Sequence, residues 1–489
     1  MKFTLRYVAI LTLLIGPGFS FSQQVLEPQD QLKPDFHEGR RQLLRERLPD
    51  NSVAVFFSNA VRNRANDVDY IYHQDPDFFY LTGYKEPQSV LLVFKEDQKK
   101  EDGSSYNEII FVQPRNARAE MWTGRRLGEE GVKSKLQLQE VFNNTDFEEY
   151  RLDFSQFDKV LFTDFKNDVR DNPRVEGDLY DLIAEFKVKV NYPDANETLA
   201  LEPEQSNLDT EGLKGIMGSM RGIKTPEEMV LLRKAVDIST IGQVEVMKAM
   251  KPGMSETEVQ GIHEFIFKKY GSEYEGYPSI VGAGNNGCIL HYIDNQVPEI
   301  SGKDMILMDL GAEYHGYTAD VTRTIPINGK FNTEQKAIYD LVYKAQSEAM
   351  KQSVAGEAWQ VPTQTARRIV NEGLYDLGII DSVNQRHLYF PHGISHHIGL
   401  DVHDNGAYET FEPGMVITVE PGVYIPEGSA CDEKWWGIAV RIEDCVLITE
   451  SGEPELLSDL APRKSEEIEA LMKETSVLNQ LMLPDLDEE

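Results

Sequence analysis

The pattern of apolar and polar positions divides this chain into two regions with different repeating units. Between about residues 51 and 190, short apolar runs alternate with amphipathic stretches of helical period. The runs predict buried strands at Ser52–Ser58, Ser89–Phe94, Asn107–Val112 and Lys159–Thr163. The amphipathic stretches Phe36–Leu48 and Leu136–Tyr150 predict helices beside them. This first region is therefore predicted to be a compact α/β domain.

The second region opens with a clear signal for the start of a helix. Thr225 can cap the helix, Pro226 suits its first position, and Glu228 completes a capping box. The periodic run that follows ends near Met250, where Lys251–Gly253 stops it. A long helix is therefore predicted here.

Strands dominate the rest of the second region, from Tyr277 to Ile448. A helix at about Ser255–Gly271 precedes them, and helices at about Thr333–Ala355 and Thr363–Leu377 interrupt them. This alternation predicts an α+β fold with a mixed sheet and helices on its outer face. The polar, acidic stretch Asp194–Gly212 is predicted to connect the two regions.

The N-terminus has the layout of a secretory signal peptide. Lys2 and Arg6 precede the apolar run Tyr7–Ile15, and Ser20–Ser22 offers a small-residue cleavage site before Gln23. The apolar run is too short to span a bilayer, and a buried N-terminal helix is the alternative. We therefore predict export to the periplasm or the extracellular space through a cleavable signal peptide.

Length and charge narrow the functions that such a chain can have. Its 489 residues are enough for two domains behind the signal peptide, which we place at residues 1–22, 23–212 and 213–489. The net charge is −33, from 82 acidic and 49 basic side chains. Such a surface repels phosphate backbones and anionic lipids. Neither nucleic acid nor, after signal removal, a membrane is therefore expected as a partner.

The three cysteines, Cys288, Cys431 and Cys445, are too few and too scattered for a disulfide framework. None of them belongs to a C-x-x-C pair. A single bridge between Cys431 and Cys445 remains open in an exported protein.

Two aspartates lie at predicted strand positions where unpaired carboxylates are unfavourable. The stretch MILMDLGAEYHGYTADVTRTIPI predicts a β-hairpin whose turn centres on Tyr314 and His315, so that Asp309 faces Asp320. Directly opposed carboxylates destabilise a sheet, and Asp is disfavoured in strand centres. A cation between the two carboxylates removes both objections. The alternatives are a surface pair or a shifted register.

Two glutamates occupy similar positions. Glu420 ends an apolar strand-like run, and Glu443 follows another such run. Strand alternation places Arg441 on the same face as Glu443. A lone Glu on a strand is usually solvated, but four carboxylates on apolar strands favour a shared function.

Histidines are concentrated in the same part of the chain. Seven of the ten lie between residues 291 and 403, including His291, His392, His396, His397 and His403. Imidazole and carboxylate together form the donor set expected for manganese, iron, cobalt or zinc. Four carboxylates also balance the charge of two divalent ions.

These residues lie in motifs that resemble those of the pita-bread metallopeptidases, which include methionine aminopeptidase, prolidase and aminopeptidase P. The motifs are NGCILHY, DLGAEYHGYTADVTRT, HGISHHIGLDVHD, TVEPGVYI and GIAVRIED. Upstream, RNRANDVDYIYHQDPDFFYLTGYKEP and AEMWTGRRLG resemble the N-terminal domain of aminopeptidase P. The resemblance covers most of the mature chain, and it implies a C-terminal pita-bread domain behind a smaller α/β domain.

The resemblance also implies a set of five metal ligands. Asp320 and Glu443 would bridge two divalent ions, Asp309 would bind one ion, and His396 with Glu420 would bind the other. Manganese is the expected metal, with zinc or cobalt as alternatives.

The same resemblance implies catalytic roles. Glu420 would shuttle the proton of the attacking water, and His291 and His403 would hydrogen-bond the substrate carbonyl or its oxyanion. His392 would line the proline pocket, and Arg441 would orient the ligand shell. The stretch DNGAYETFEPG is shorter than the insertions that some relatives have at this place. The resemblance therefore does not predict the rim of the pocket.

The implied function is removal of the first residue of a peptide whose second residue is proline, by a metal-bridging hydroxide that attacks the carbonyl. Proline-containing peptides are the expected partners, and a homo-oligomer, dimer or tetramer, is the expected state. A prolidase restricted to dipeptides is the closest alternative. A metal-free creatinase-like hydrolase and a non-enzymatic binding module are further alternatives, and retention of all five ligand types argues against both.

Overall fold

The computed structural model describes residues 30–166, 168–193 and 206–480, and residues from Leu32 onward form one compact unit. The predicted signal peptide and part of the predicted connection lie outside the described residues. In chain order, the helices of the described ranges are α1 (Pro34–Arg47), α2 (Pro76–Thr82), α3 (Ala117–Thr123), α4 (Gly128–Leu136), α5 (Leu179–Lys189), α6 (Gly212–Arg221), α7 (Pro226–Ala249), α8 (Glu256–Lys269), α9 (Thr333–Met350), α10 (Gln360–Asp376) and α11 (Ser465–Leu471).

The strands fall into a group that precedes α6 and a group that follows α8. Those of the first group are β1 (Ser52–Phe57), β2 (Asn63–Ala65), β3 (Val68–Asp69), β4 (Val90–Lys99), β5 (Ser105–Val112), β6 (Val141–Asn143), β7 (Lys159–Phe162) and β8 (Leu208–Asp209). Those of the second group are β9 (Tyr274–Glu275), β10 (Ile280–Ala283), β11 (Met305–Asp309), β12 (Ala312–Tyr314), β13 (Tyr317–Thr318), β14 (Thr322–Pro326), β15 (Val416–Val419), β16 (Gly422–Ile425), β17 (Ile438–Arg441), β18 (Asp444–Leu447) and β19 (Glu455–Leu456).

The four strands predicted in the first region are confirmed as β1, β4, β5 and β7. They belong to a mixed sheet of order β6-β5-β4-β1-β7-β8, in which β1 pairs antiparallel to β4 and parallel to β7. Val53 and Val55 pack into one apolar cluster, whereas Ala54 and Phe56 pack into another. Both faces of the sheet are covered, which explains why its strands are continuous apolar runs.

The predicted helix over Leu136–Tyr150 is wrong. Leu136 is instead the last residue of α4, because Gln137 adopts a left-handed conformation with φ of 60°. Val141 then pairs with Ile110 at the edge of the sheet. The apolar residues of this segment therefore serve a strand.

The helix signals of the second region are confirmed. The Thr225 hydroxyl accepts a hydrogen bond from the Glu228 amide, and the Glu228 carboxylate accepts one from the Thr225 amide, so that α7 begins with the predicted capping box. At the start of α8, the Ser255 hydroxyl accepts a hydrogen bond from the Glu258 amide. Both helices, together with α9 and α10, supply buried faces to the main apolar core.

Small antiparallel sheets make up the rest of the second region, in the orders β10-β11-β14, β13-β12-β9, β15-β18-β19 and β16-β17. The α+β class is therefore confirmed, but the predicted mixed sheet is wrong, because the described strand pairs of this region are all antiparallel. Among the described residues, no helix has both the length and the apolar character needed to cross a membrane. Cys288, Cys431 and Cys445 are all free thiols, so the bridge left open by the sequence does not form here.

The predicted pairing of Asp309 with Asp320 is wrong. Asp309 lies opposite Thr322, because the turn falls on His315 and Gly316, with Tyr314 opposite Tyr317. Both turn residues have positive φ, 52° and 92°, as tight two-residue hairpin turns require. Asp320 then lies in the break between β13 and β14, beside Asp309 in space but outside the ladder.

Candidate active site

The five residues predicted as metal ligands lie at strand ends or between strands around one cavity of about 640 Å³. Asp309 is the last residue of β11, and Asp320 precedes β14. Glu420 follows β15 directly, Glu443 lies between β17 and β18, and His396 belongs to a loop. Separate sheets therefore deliver the side chains to a single place.

The donor atoms of Asp320, His396 and Glu443 all lie within 4.8 Å of one another. The Nε2 atom of His396 is 3.4 Å from Asp320 Oδ2 and 3.5 Å from Glu420 Oε1. Asp309 joins the group through the hydroxyl of Tyr277, which is 2.6 Å from one carboxylate oxygen of Asp309 and 2.6 Å from one of Asp320. A single hydroxyl has one proton for these two acceptors. The other contact needs a proton or a cation.

The electrostatics of the group favour bound cations. Burial and then the charge of Asp309 raise the pKa of Asp320 well above its usual range. Burial and then Asp320 do the same to the pKa of Glu443, and burial with Glu443 raises the pKa of Glu420 to about 8. Carboxylates crowded in this way ionise together only when positive charge lies among them. The mixed carboxylate and imidazole donors suit divalent transition metals.

Arg441 supplies part of that positive charge and fixes the geometry. Its Nη2 atom lies 2.5 Å from Asp309 Oδ2, and its Nε donates to the Thr322 hydroxyl at 3.1 Å. Thr322 in turn donates to Glu443 Oε2 at 2.6 Å. Arg441 also donates to the hydroxyl of Tyr424 at 3.1 Å. The structure therefore places Arg441 beside the carboxylate group, on the face that strand alternation predicted.

His291, His392 and His403 line the same cavity. His392 Nε2 is 2.8 Å from the Tyr424 hydroxyl, and burial is the main cause that lowers the pKa of His392 to about 4. The His403 ring meets the His396 ring edge-on, with 4.5 Å between centroids, and burial also lowers the pKa of His403. The lowered pKa values favour the neutral imidazole form of His392 and His403.

His397 has a different environment. It is fully buried, its Nε2 atom is 2.8 Å from the Ala407 carbonyl, and its ring stacks on Trp359. It is not among the residues that line the cavity. His397 is therefore a structural histidine.

Sequence reasoning missed three hydroxyl residues at the site: Tyr277, Thr322 and Tyr424. Thr322 has a readable signal, because it lies two residues after Asp320 and pairs with Asp309. Tyr424 lies within the motif TVEPGVYI, four residues after Glu420. Tyr277 had no signal beyond its place before β10, whose Ile280 pairs with Asp309.

A cavity lined by four crowded carboxylates, the His396 imidazole and three further histidines fits a metal-dependent hydrolase. Residues 230–450 match the family described as Metallopeptidase family M24, and residues 37–160 match the family described as Aminopeptidase P, N-terminal domain. The chain belongs to metallopeptidase family M24, whose members use divalent metal ions. Neither match extends to residue 212, so the domain boundary placed there stays a prediction.

Several relatives are similar over almost their whole length. The chain is 35% identical over 453 residues to Xaa-Pro aminopeptidase of Escherichia coli, covering 88% of this chain and 96% of the relative. It is 30% identical over 437 residues to the mitochondrial intermediate cleaving peptidase 55 of Arabidopsis thaliana, covering 89% and 82%. The structure of E. coli aminopeptidase P with the inhibitor Pro-Leu superposes with a TM-score of 0.78 and 33% identity, covering 91% of this chain and 99% of that chain.

Proposed function

We propose that this protein removes the first residue from peptides whose second residue is proline. The observation that carries the proposal is the convergence of Asp309, Asp320, His396, Glu420 and Glu443 on one cavity that three further histidines also line. The similarity to Xaa-Pro aminopeptidases over both domains supports this substrate class. The dipeptidase alternative is less favoured, because the first domain matches the aminopeptidase P type.

The five ligands would hold two divalent ions, which would polarise the scissile carbonyl and lower the pKa of a bound water. Glu420 would accept a proton from that water and pass it to the leaving nitrogen of proline, which must be protonated to depart. His291 and His403 would donate hydrogen bonds to the carbonyl oxygen as its negative charge develops. Arg441 would hold Asp309 in place through their short contact.

Proline selectivity would come from the shape of the cavity and from the apolar part of its wall, which offers no acceptor to an amide hydrogen. The cavity wall includes the apolar side chains of Ile280, Leu290, Ile293 and Val402. His392 is held by Tyr424 and is not free to pair with a substrate N–H. A buried N–H without a partner costs about 1–3 kcal/mol, and proline has none. Alanine at that position should therefore be disfavoured by this cost and by lost ring packing.

The experiment compares a tripeptide Xaa-Pro-Yaa with its Xaa-Ala-Yaa counterpart and with the dipeptide Xaa-Pro, each before and after chelation. We expect kcat/KM for the proline tripeptide to exceed that for the alanine tripeptide by about 100-fold, since each 1.4 kcal/mol is about tenfold. Comparable turnover of the alanine tripeptide would refute proline specificity. Cleavage of the dipeptide alone would identify a prolidase.

Manganese is the metal we propose, with zinc and cobalt as alternatives, because carboxylate oxygens outnumber nitrogens in the donor set. The test is reconstitution of chelated protein with each ion in turn, followed by elemental analysis and assay of the same tripeptide. Highest kcat/KM with an ion other than manganese would overturn the assignment.

We also propose export and self-association. Export rests on the charged, apolar and small-residue segments of residues 1–22, and intact-mass measurement of the exported product should show a chain that begins at or near Gln23. Retention of residues 1–22 would contradict it. Light scattering should give the mass of a dimer or a tetramer, and a monomer at micromolar concentration would contradict that state.

A further inference from the structure

A buried network of ion pairs joins the N-terminal domain to the loop that carries His403. Asp77, in the first turn of α2, accepts a hydrogen bond from Arg221 Nη1 at 2.6 Å. Arg221, the last residue of α6, gives its Nη2 to Asp404, and Lys224 Nζ lies 3.1 Å from the other oxygen of Asp404. The side chains of Arg221, Lys224 and Asp404 are 3%, 1% and 2% exposed. Three charges are therefore buried side by side, next to the active-site loop.

Space around the network is closely filled. A Cβ atom on Gly399 would stand 2.2 Å from Asp404 Oδ2 and 2.9 Å from the Lys224 chain. A Cβ atom on Gly222 would stand 2.9 Å from a carbonyl oxygen of α6 and 3.4 Å from Gly406. The end of α6 therefore packs directly on the loop around Asp404.

The network fixes the backbone on which His403 stands. Asp404 follows His403, and its amide donates to the His397 carbonyl at 3.0 Å. The His403 amide donates to Asp401 Oδ1 at 3.0 Å. In the part of the chain that the structure describes, the His403 ring makes no side-chain hydrogen bond. Apart from its edge-on contact with the His396 ring, the position of the His403 ring is set by its backbone. That backbone is anchored next to His403 by the buried Asp404 carboxylate.

We propose that Asp77, Arg221, Lys224 and Asp404 form an interdomain clamp that positions His403, so that the N-terminal domain sets the rate of turnover. This proposal rests on the proposed function, in which His403 donates to the substrate oxygen. The four residues of the clamp are positioning residues, since none of them lines the cavity.

Asp77 is the best residue to change. Removal of Arg221 or Asp404 would leave a buried charge uncompensated and could unfold the protein. Asp77 is at the edge of the clamp, with its side chain 18% exposed. Asp77→Asn preserves the shape of the side chain, and Arg221 remains paired with Asp404.

The chain offers a closely matched control for this change. Arg41 and Glu108 form a 2.7 Å ion pair, with side chains 1% and 17% exposed, inside the N-terminal domain. The ion pair between Arg221 and Asp77 is 2.6 Å long, and its side chains are 3% and 18% exposed. Glu108 also pairs with Arg45, and Arg41 donates to the Leu81 carbonyl of α2. Glu108→Gln therefore removes a comparable charge near α2 without touching Arg221, Lys224 or Asp404.

The experiment is a double-mutant cycle on holoenzyme with the Xaa-Pro-Yaa tripeptide. We expect Asp77→Asn to lower kcat by about 5- to 10-fold, with metal content unchanged and Glu108→Gln near wild type. In a His403→Ala background, Asp77→Asn should lower kcat by less than about 2-fold, because the residue it positions is gone. An equal loss in both backgrounds, an equal loss in Glu108→Gln, or loss of metal would overturn the clamp.

An independent signal separates this proposal from the proposed function. If wild-type protein does not cleave the tripeptide, the proposed function fails. The clamp is then tested on zinc-loaded protein, since zinc is diamagnetic, by the ring resonances of labelled His403, assigned by their loss in His403→Ala. They should shift in Asp77→Asn and not in Glu108→Gln, and unchanged resonances in Asp77→Asn would contradict the clamp.

Discussion

The two carboxylate pairs of the active site are each supported from behind by one buried glutamine. We call the part of the catalytic region that carries Asp309 and Asp320 the first half, and the part that carries Glu420 and Glu443 the second half. In the first half, Gln243 of α7 donates from Nε2 to the carbonyls of Met308 at 3.1 Å and Val321 at 2.9 Å. These residues are the chain neighbours of Asp309 and Asp320. One amide group therefore sets the spacing of the two backbone segments that carry the aspartates.

The second half repeats the arrangement. Gln346 of α9 donates from Nε2 to the carbonyls of Val419 and Ile442, both at 3.0 Å. These residues immediately precede Glu420 and Glu443. A helix outside the strands thus holds each pair of carboxylates in the same way.

The halves differ in what else binds the glutamine. Gln346 Nε2 is also 2.8 Å from Asp444 Oδ2, and its Oε1 accepts from Arg463 at 3.2 Å. Asp444 forms a fully buried ion pair with Arg323 at 2.7 Å. Gln243 Oε1, by contrast, is buried without a hydrogen-bond partner among the described residues. Both glutamines therefore bind the strand backbone, but only Gln346, in the second half, also contacts charged side chains.

The largest expected effect is on the unfolding free energy of the metal-free protein. It arises from the titration of Glu420 in the second half. The folded-state pKa of Glu420 is raised from 4.5 to about 8, mainly by burial. The stability that its proton supplies is full below pH 4.5 and is lost as pH rises through about 8. Since one pKa unit is about 1.4 kcal/mol, chelated protein should lose on the order of 4 kcal/mol of unfolding free energy between pH 5 and 8 from this residue.

Urea unfolding across that pH range would measure the slope, with and without metal. Metal-loaded protein should show a much smaller slope, because the cations favour the ionised carboxylates. Glu420→Gln should reduce the slope of the chelated protein, and Asp97→Asn, at an exposed strand position far from the site, should not. A chelated wild type whose stability is constant across the range would show that the second half tolerates its charges unaided.

The next largest effect is expected where the halves meet. Asp320 comes from the first half but lies 3.4 Å from His396 of the second. Asp320→Ala should remove at least one metal and lower kcat/KM by at least about 100-fold, because a charge-stabilising element is lost. Elemental analysis and assay of the tripeptide measure this, with circular dichroism to confirm the fold. Two tightly bound metals in the variant would contradict a bridging role for Asp320.

The carboxylates that line the cavity could be singled out from the sequence because they break a local rule. Asp and Glu beside apolar strand residues are costly, so Asp309 and Glu420 stand out without any structure. Helix starts such as Thr225 were equally readable, since capping depends on a few neighbouring residues. These features are local in sequence, and the structure confirms where they lie.

Features that depend on pairing across the fold could not be predicted in the same way. The register of Asp309 was missed because the turn depends on positive φ at His315, which an ordinary residue does not announce. Gln243 and Gln346 were missed because a glutamine within an amphipathic helix is ordinary. Their role appears only when the helix is packed against the strands whose carbonyls they bind.

The smallest expected effect is a difference in stability between two variants, and it tests directly how the two halves differ. Methionine has nearly the shape of glutamine, so Gln243→Met and Gln346→Met remove the amide and keep the packing. Each leaves two strand carbonyls without their donor, at about 1–3 kcal/mol for each buried group. Gln346→Met also removes the Nε2 group that Asp444 shares with the two carbonyls and the oxygen that accepts from Arg463. We therefore expect Gln346→Met to be the more destabilising by about 1–2 kcal/mol. Urea unfolding of both metal-loaded variants would decide this, and equal losses would show that the charged network adds nothing to the support given by the glutamine.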